Sequence, residues 1–181
     1  MNVDLSKYNQ DWYHRGRPAW LVLLWWFVQG TIFRFSLHNM YRFRAFVLRA
    51  FGAKIGKNVK LRASAKFHYP WNVEIGENSW IGDSVYFYSL DKIIVGSNCV
   101  ISQNSYINTG SHDLKSSDFG LITKPVIIET GAWVASNSFV NLGVTIGEKA
   151  VIGSCSNVTK DMPSNHICVG NPCRAVKLRF E

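Results

Sequence analysis

A chain of 181 residues with ordinary apolar content forms one domain-sized unit with room for a sizeable core. Its formal net charge of +8 points to anionic partners, because surplus Lys and Arg concentrate phosphates, nucleotides or acidic lipids near the surface. No recognised nucleic-acid motif accompanies that charge, and the four cysteines, Cys99, Cys155, Cys168 and Cys173, lack paired zinc-ligand spacing, so both of those classes are set aside.

In chain order, Met1 to Pro18 is a polar lead-in, read as extended or irregular. The run Trp20 to Val28 is apolar but too short to cross a bilayer, and Gln29, Gly30 and Arg34 interrupt its continuation. It starts too late for a signal peptide and lacks a small-residue cleavage site, which makes a reducing cytoplasm the default location. One reading buries this run as a helix against the rest of the chain or a neighbouring subunit. The other lays residues 20–35 on the inner face of the cell membrane, with Trp25, Trp26 and Phe27 as anchors and Arg42, Arg44 and Arg49 in support. From Tyr41 to Phe51 apolar residues and Arg alternate at helical spacing, and Gly52 is placed to end that helix.

From Ile128 to Val158 a branched aliphatic residue returns every sixth position: Ile128, Val134, Val140, Ile146, Ile152 and Val158. Six matches neither the 3.6 of a helix nor the 2 of a strand. It is the period of a hexapeptide β-helix, in which each unit makes one side and one corner of a triangular prism. The aliphatic residue points inward, and the residue four further on is small (Ala132, Ser138, Ala150, Ser156) or Val144. The same pattern runs upstream through Ile55, Leu61 and Phe67, then Ile75, Ile81 and Phe87, then Val95, Ile101 and Ile107. Between these runs the phase slips by two residues, as if one corner of each early coil were longer. An ordinary sandwich of short strands would instead show period-two alternation with wider turn spacing. The fold class is therefore an all-β solenoid, a left-handed parallel β-helix with an N-terminal helical segment and a short C-terminal tail. Its parts are residues 1–54, the solenoid 55–165 with an excursion loop at 108–125, and the tail 166–181. Cys99 falls at a small interior position. Gly147 and Gly153 allow either close packing or an unusual turn conformation.

The segments Gly143 to Gly147, Val151 to Ser156, Val158 to Pro163 and Gly170 to Val176 resemble the closing signature of hexapeptide-repeat O-acetyltransferases of the galactoside, maltose and nodulation type. Tyr88 to Asp91, Thr109 to Asp113, Leu121 to Pro125 and Phe51 to Gly56 resemble the branch that acetylates exopolysaccharide sugars, typified by the colanic acid enzymes. The resemblance covers nearly the whole chain. It implies acetyl-CoA as acyl donor, no metal, a sugar or glycan acceptor and a homotrimer whose active sites lie between adjacent prisms.

Acyl transfer from a thioester to a hydroxyl needs a base near neutral pKa, a role suited to His. Of the five histidines, only His112 opens the excursion, and it matches the family's catalytic position. Asp113, Asp91 or another carboxylate is expected to fix its tautomer, and Asp91 and Asp113 are also candidate acceptor contacts. Position by position, the resemblance places Ser136 near the thioester carbonyl, with Ala135 where the family usually has Gly. Ser154, Thr159 and Lys160 match residues lining the pantetheine and nucleotide channel, and Arg174 and Lys177 match basic residues that meet CoA phosphates. Two other classes share such a solenoid: γ-type carbonic anhydrases, which hold zinc with three histidines, and non-catalytic trimeric scaffolds. Transfer to an amino sugar in place of a hydroxyl is the alternative within the enzyme class.

Overall fold

A computed structural model of the chain describes residues 3–181. Three parallel sheets form the sides of a prism. The first side holds Lys54–Ile55, Val73–Ile75, Ile93–Val95, Val126–Ile128 and Thr145–Ile146. The second runs from Lys60–Leu61 through Trp80–Ile81, Val100–Ile101, Trp133–Val134 and Val151–Ile152 to His166–Gly170. The third holds Lys66–Phe67, Tyr86–Tyr88, Tyr106–Asn108, Phe139–Val140 and Asn157–Val158.

The hexad phase sets the interior. Ile55, Ile75, Val95, Ile128 and Ile146 align in one buried column, Leu61, Ile81, Ile101, Val134 and Ile152 in a second, and Phe67, Phe87, Ile107, Val140 and Val158 in a third. Within the third column Phe67 and Phe87 stack at 4.9 Å, so the bore is filled by aromatic contact as well as by branched aliphatics.

The two geometric roles that the sequence left open for its recurring small residues fall on different positions. Three residues after an inward aliphatic the chain turns through the left-handed region, at Asn58, Asn78, Asn98, Asn104 and Asn137, where Asn tolerates a conformation most side chains avoid. The glycines directly after the aliphatics answer to space instead. A Cβ on Gly96 would lie 2.6 Å from Thr130 N and 2.9 Å from Thr130 Cα, in the main chain of the next coil. Gly96→Ala is therefore expected to destabilise by about 1–3 kcal/mol. Thermal unfolding followed by circular dichroism should register the loss, and an unchanged midpoint would mean that the coils are not in this contact.

The phase slip resolves to one corner. Inward positions on either side of the third-to-first corner lie eight residues apart at Phe67 to Ile75 and at Phe87 to Val95, and twenty-one apart at Ile107 to Ile128. They lie six apart at Val140 to Ile146. They are four apart at Val158 to Met162, which bridges Ile146 and is buried. That shortening hid the last coil from a count by six. The tail expected beyond residue 165 is in fact a hairpin: His166–Gly170 extends the second side with buried Cys168 beside Ile152, and Cys173–Leu178 returns antiparallel. Arg179 anchors its end by donating to the carbonyls of Gly131 and Lys149.

Two helices close the other end, α1 at Ala19–Val28, which continues as a wider turn over Gln29–Phe33, and α2 at Tyr41–Ala50, with Gly52 beyond it at φ +92°. The run is a helix with one side packed against the rest of the chain, as the first reading has it, and the anchors of the second reading need revision. Trp25 is no anchor: it is fully buried and donates its indole N–H to Phe67 O at 2.8 Å, whereas Trp26 and Phe27 stay exposed. Arg44 is also fully buried, donating to the carbonyls of Leu61, Leu37 and His38 and to the Ser36 hydroxyl, and Arg49 donates to Ile55 O and Gly56 O. An arginine has five donors and accepts nothing, so a ring of free carbonyls at the mouth of the first coil satisfies it without a carboxylate.

Candidate active site

The excursion is built on the same third-to-first corner that is long in the two preceding coils. Its composition reads as loop, but it folds as an antiparallel hairpin in which Gly110–His112 pairs with Leu121–Thr123, His112 lying opposite Leu121. The neck is pinned by Thr109, whose hydroxyl donates to Tyr88 O and accepts from the Asp91 N–H. The tip is closed by Asp113, whose carboxylate accepts from the Lys115 N–H at 2.9 Å, and by a Ser116 hydroxyl bonded to the Asp118 carboxylate.

Half-buried at the end of the first hairpin strand, His112 has its Nδ1 2.8 Å from the carbonyl oxygen of Phe119. A carbonyl only accepts, so in the neutral ring Nδ1 carries the proton and Nε2 presents its lone pair. The expectation that a carboxylate fixes the tautomer gives way to this main-chain contact. Asp113 is exposed and engaged at the turn, and Asp91 accepts from the Lys92 N–H at 2.7 Å. Phe119 also stacks its ring on the imidazole at 4.1 Å, and it holds a left-handed φ of +55°, a conformation uncommon for a bulky residue and worth reading as functional.

The amino-terminal lead-in, which gave no functional signal in the sequence, runs over this corner. Asp4 N–H donates to Ser117 O, the Tyr8 ring lies 6.0 Å from that of His112, and the Tyr13 hydroxyl donates to Leu90 O at 2.9 Å. Burial, with Tyr69, Tyr88 and Asp91 nearby, pushes the Tyr13 phenol up, so it stays a neutral donor. Beneath the hairpin Val22, Tyr69, Leu90 and Leu121 form a second, smaller core against which Tyr13, Trp71 and Tyr88 pack. His68 sits at its margin, 3.2 Å from the Tyr86 hydroxyl, and burial lowers its affinity for a proton.

The other residues singled out in the sequence occupy different edges. Ser136 and Ser154 stack one coil apart on the second-to-third corner, as the pairing of Val134 with Ile152 requires, and Ser136 O accepts from the Cys155 N–H. Thr159 and Lys160 follow Val158 on the third-to-first corner, exposed. Arg174 and Lys177 project from the return strand on the second side, opposite Val169 and Ile167, both exposed. One chain thus brings Thr159 and Lys160 to the same edge as His112 but leaves Ser136, Ser154, Arg174 and Lys177 elsewhere. Two clefts of the isolated chain, one of about 630 Å³ along Gln10 to Pro18 and one of about 560 Å³ beside Arg49 and Glu74, are lined without His112.

Comparison with known proteins bears on what this ledge does. The family described as hexapeptide repeat of succinyl-transferase matches residues 72–109 and 125–160. The chain is 47% identical over 178 residues, 98% of each sequence, to the WcaF protein of Escherichia coli K12, assigned to colanic acid biosynthesis as an acetyltransferase. The chain belongs to the hexapeptide-repeat acetyltransferases. This acetyltransferase superimposes on a maltose O-acetyltransferase from Clostridium difficile 630 with a TM-score of 0.81 at 30% identity, over 91% of this chain and 90% of the other. It matches a galactoside acetyltransferase in complex with coenzyme A with a TM-score of 0.80 at 26% identity, over 88% and 80%. Near-complete likeness to acetyltransferases displaces both the carbonic anhydrase and the scaffold readings of the solenoid.

Proposed function

We propose that this acetyltransferase moves the acetyl group of acetyl-CoA onto a hydroxyl of an exopolysaccharide sugar or its precursor, with His112 as general base. The observation that carries the proposal is the 2.8 Å contact of His112 Nδ1 with Phe119 O, which in the neutral ring leaves the lone pair on Nε2. Nε2 takes the acceptor's hydroxyl proton as the oxygen attacks the thioester carbonyl. The tetrahedral intermediate places negative charge on the former carbonyl oxygen, where the Ser136 hydroxyl is suited to donate. Collapse breaks the carbon–sulfur bond, and the imidazolium returns its proton to the leaving thiolate. Ser154, Thr159 and Lys160 are assigned to the pantetheine and nucleotide, Arg174 and Lys177 to the phosphates, and Asp91 and Asp113 to the sugar. Because Ser136, Ser154, Arg174 and Lys177 lie off the edge that carries His112, whereas Thr159 and Lys160 share it, the reading requires a homotrimer in which the base of one chain meets donor residues of the next. The cytoplasm, where acetyl-CoA is supplied, is the compartment this chemistry needs.

Incubating the protein with acetyl-CoA and a panel of sugars, amino sugars and nucleotide sugars, with thiol release followed continuously, tests the reaction. Ester formation on a sugar is expected, whereas amide formation alone would overturn the hydroxyl assignment. A monomer by light scattering at micromolar concentration would remove the shared site. Arg174→Ala should weaken CoA binding by about 1–3 kcal/mol, the range for a lost charge-assisted contact, with kcat nearly unchanged. Titration calorimetry with CoA measures the first effect and the thiol assay the second.

A further inference from the structure

The charge of this chain is unevenly placed. Residues 12–73 carry eleven Lys and Arg and no Asp or Glu, so the whole positive excess lies in the segment that forms α1, α2 and the first coil. In the same segment α1 is apolar on both sides. Its inner side buries Val22 and Trp25, while its outer side leaves Trp20 64% exposed, Leu23 62% and Phe27 64%. Those three positions follow one helical stripe. The apolar surface continues beyond the helix through Ile32, Leu37 and Phe35, the last 82% exposed. A helix on an ordinary water-facing surface carries polar residues on its outer side, and an exposed apolar patch of this extent marks an interaction surface. Arg34 and Arg42 lie exposed in the same segment, outside the ion pairs among the described residues, whereas Arg44 and Arg49 are occupied by carbonyls and Arg62 by Asp83.

We propose that this end of the solenoid docks on an anionic bilayer surface, with Trp20, Leu23, Phe27 and Phe35 entering the boundary between headgroups and acyl chains and Arg34 and Arg42 meeting lipid phosphates. No helix among the described residues is long and apolar enough to cross a membrane, so α1 lies in the interface plane. Charge decides between a lipid surface and a second copy of the chain. A symmetric contact through this end would bring two acid-free, cation-rich segments together, whereas phosphatidylglycerol supplies the missing negative charge and hydrocarbon for the aromatic side chains. The inner side of α1 contributes Val22 to the core beneath the His112 hairpin, so docking holds the active edge one helix thickness from the lipid.

The surface is independent of the transfer chemistry and is tested without it. The full-length protein is floated with vesicles of phosphatidylcholine alone or mixed with phosphatidylglycerol, and its tryptophan fluorescence is recorded in parallel. Binding should require phosphatidylglycerol, weaken with salt and shift the emission to shorter wavelength. Leu23→Ser combined with Phe27→Ser should weaken partitioning roughly a hundredfold without changing the circular dichroism spectrum or turnover of a soluble acceptor. Arg34→Glu with Arg42→Glu should weaken it by at least about tenfold, and only on the anionic vesicles. Equal binding to neutral vesicles, or unaltered binding of the Leu23→Ser/Phe27→Ser protein, overturns the proposal. So does self-association abolished by those serines in a protein that ignores vesicles, which would make the occupant a second copy.

Discussion

His112→Ala is expected to lower kcat by roughly two to four orders of magnitude, the usual contribution of a general base, while acetyl-CoA binding and the melting midpoint stay near those of the parent. The separation follows from where the residue sits. Its side chain is half-buried on a hairpin outside the prism, bonded to Phe119 O and stacked on the Phe119 ring, and contributes nothing to the three columns that fill the bore. The substitution therefore removes a proton acceptor, the bond to Phe119 O and the ring contacts with Phe119 and Tyr8, not a cavity wall. The same thiol-release assay measures turnover, and calorimetry with CoA measures binding. A His112→Ala protein that turned over acceptor at the parent rate would place the base elsewhere and sink the assignment.

Ile146→Asp should abolish folding. Ile146 is fully buried, aligned with Ile128 on one side and bridged to Met162 on the other, and the neighbours that close around it are apolar. A carboxylate there meets neither water nor a cation. Burying it unpaired costs several kcal/mol even after it takes up a proton, against a total stability of about 5–15 kcal/mol. Expression into inclusion bodies, or a soluble chain lacking the parent's circular dichroism, is the expected outcome. A soluble protein with an unchanged melting midpoint would show that the six-residue phase does not define the interior.

That phase was the most legible feature of the chain, because a buried column forces one residue type at one spacing and tolerates no charge. His112 stood out as the candidate base for another reason: motif and position agreed on it. What escaped lacks a side-chain signature. The acceptor of Nδ1 is a carbonyl, which every residue carries, and the contact between Tyr13 and Leu90 joins positions 77 apart. Arg44 read as surface charge, since nothing in its neighbourhood of sequence announces free carbonyls at the mouth of the first coil. The carboxy-terminal hairpin was lost because four residues separate Val158 from Met162 where the count expects six, with the Asp161 carboxylate accepting from Thr145 N–H at 2.7 Å across that shortened corner.

The edge that varies has a meaning beyond this chain's own chemistry. At the other two corners the left-handed residues and the glycines that admit the next coil leave no slack, so their length is fixed at six through the coils from Ile55 to Val158. At the third-to-first edge spacings from four to twenty-one coexist with unbroken register on every side, which means that the ladder does not sense what is spliced there. Selection for a different acceptor can lengthen, shorten or replace that insert while the columns go on holding the prism together. Under the proposed assignment of the sugar to this edge, acceptor preference and fold stability are written in separate stretches of the same polypeptide and are free to drift apart in rate.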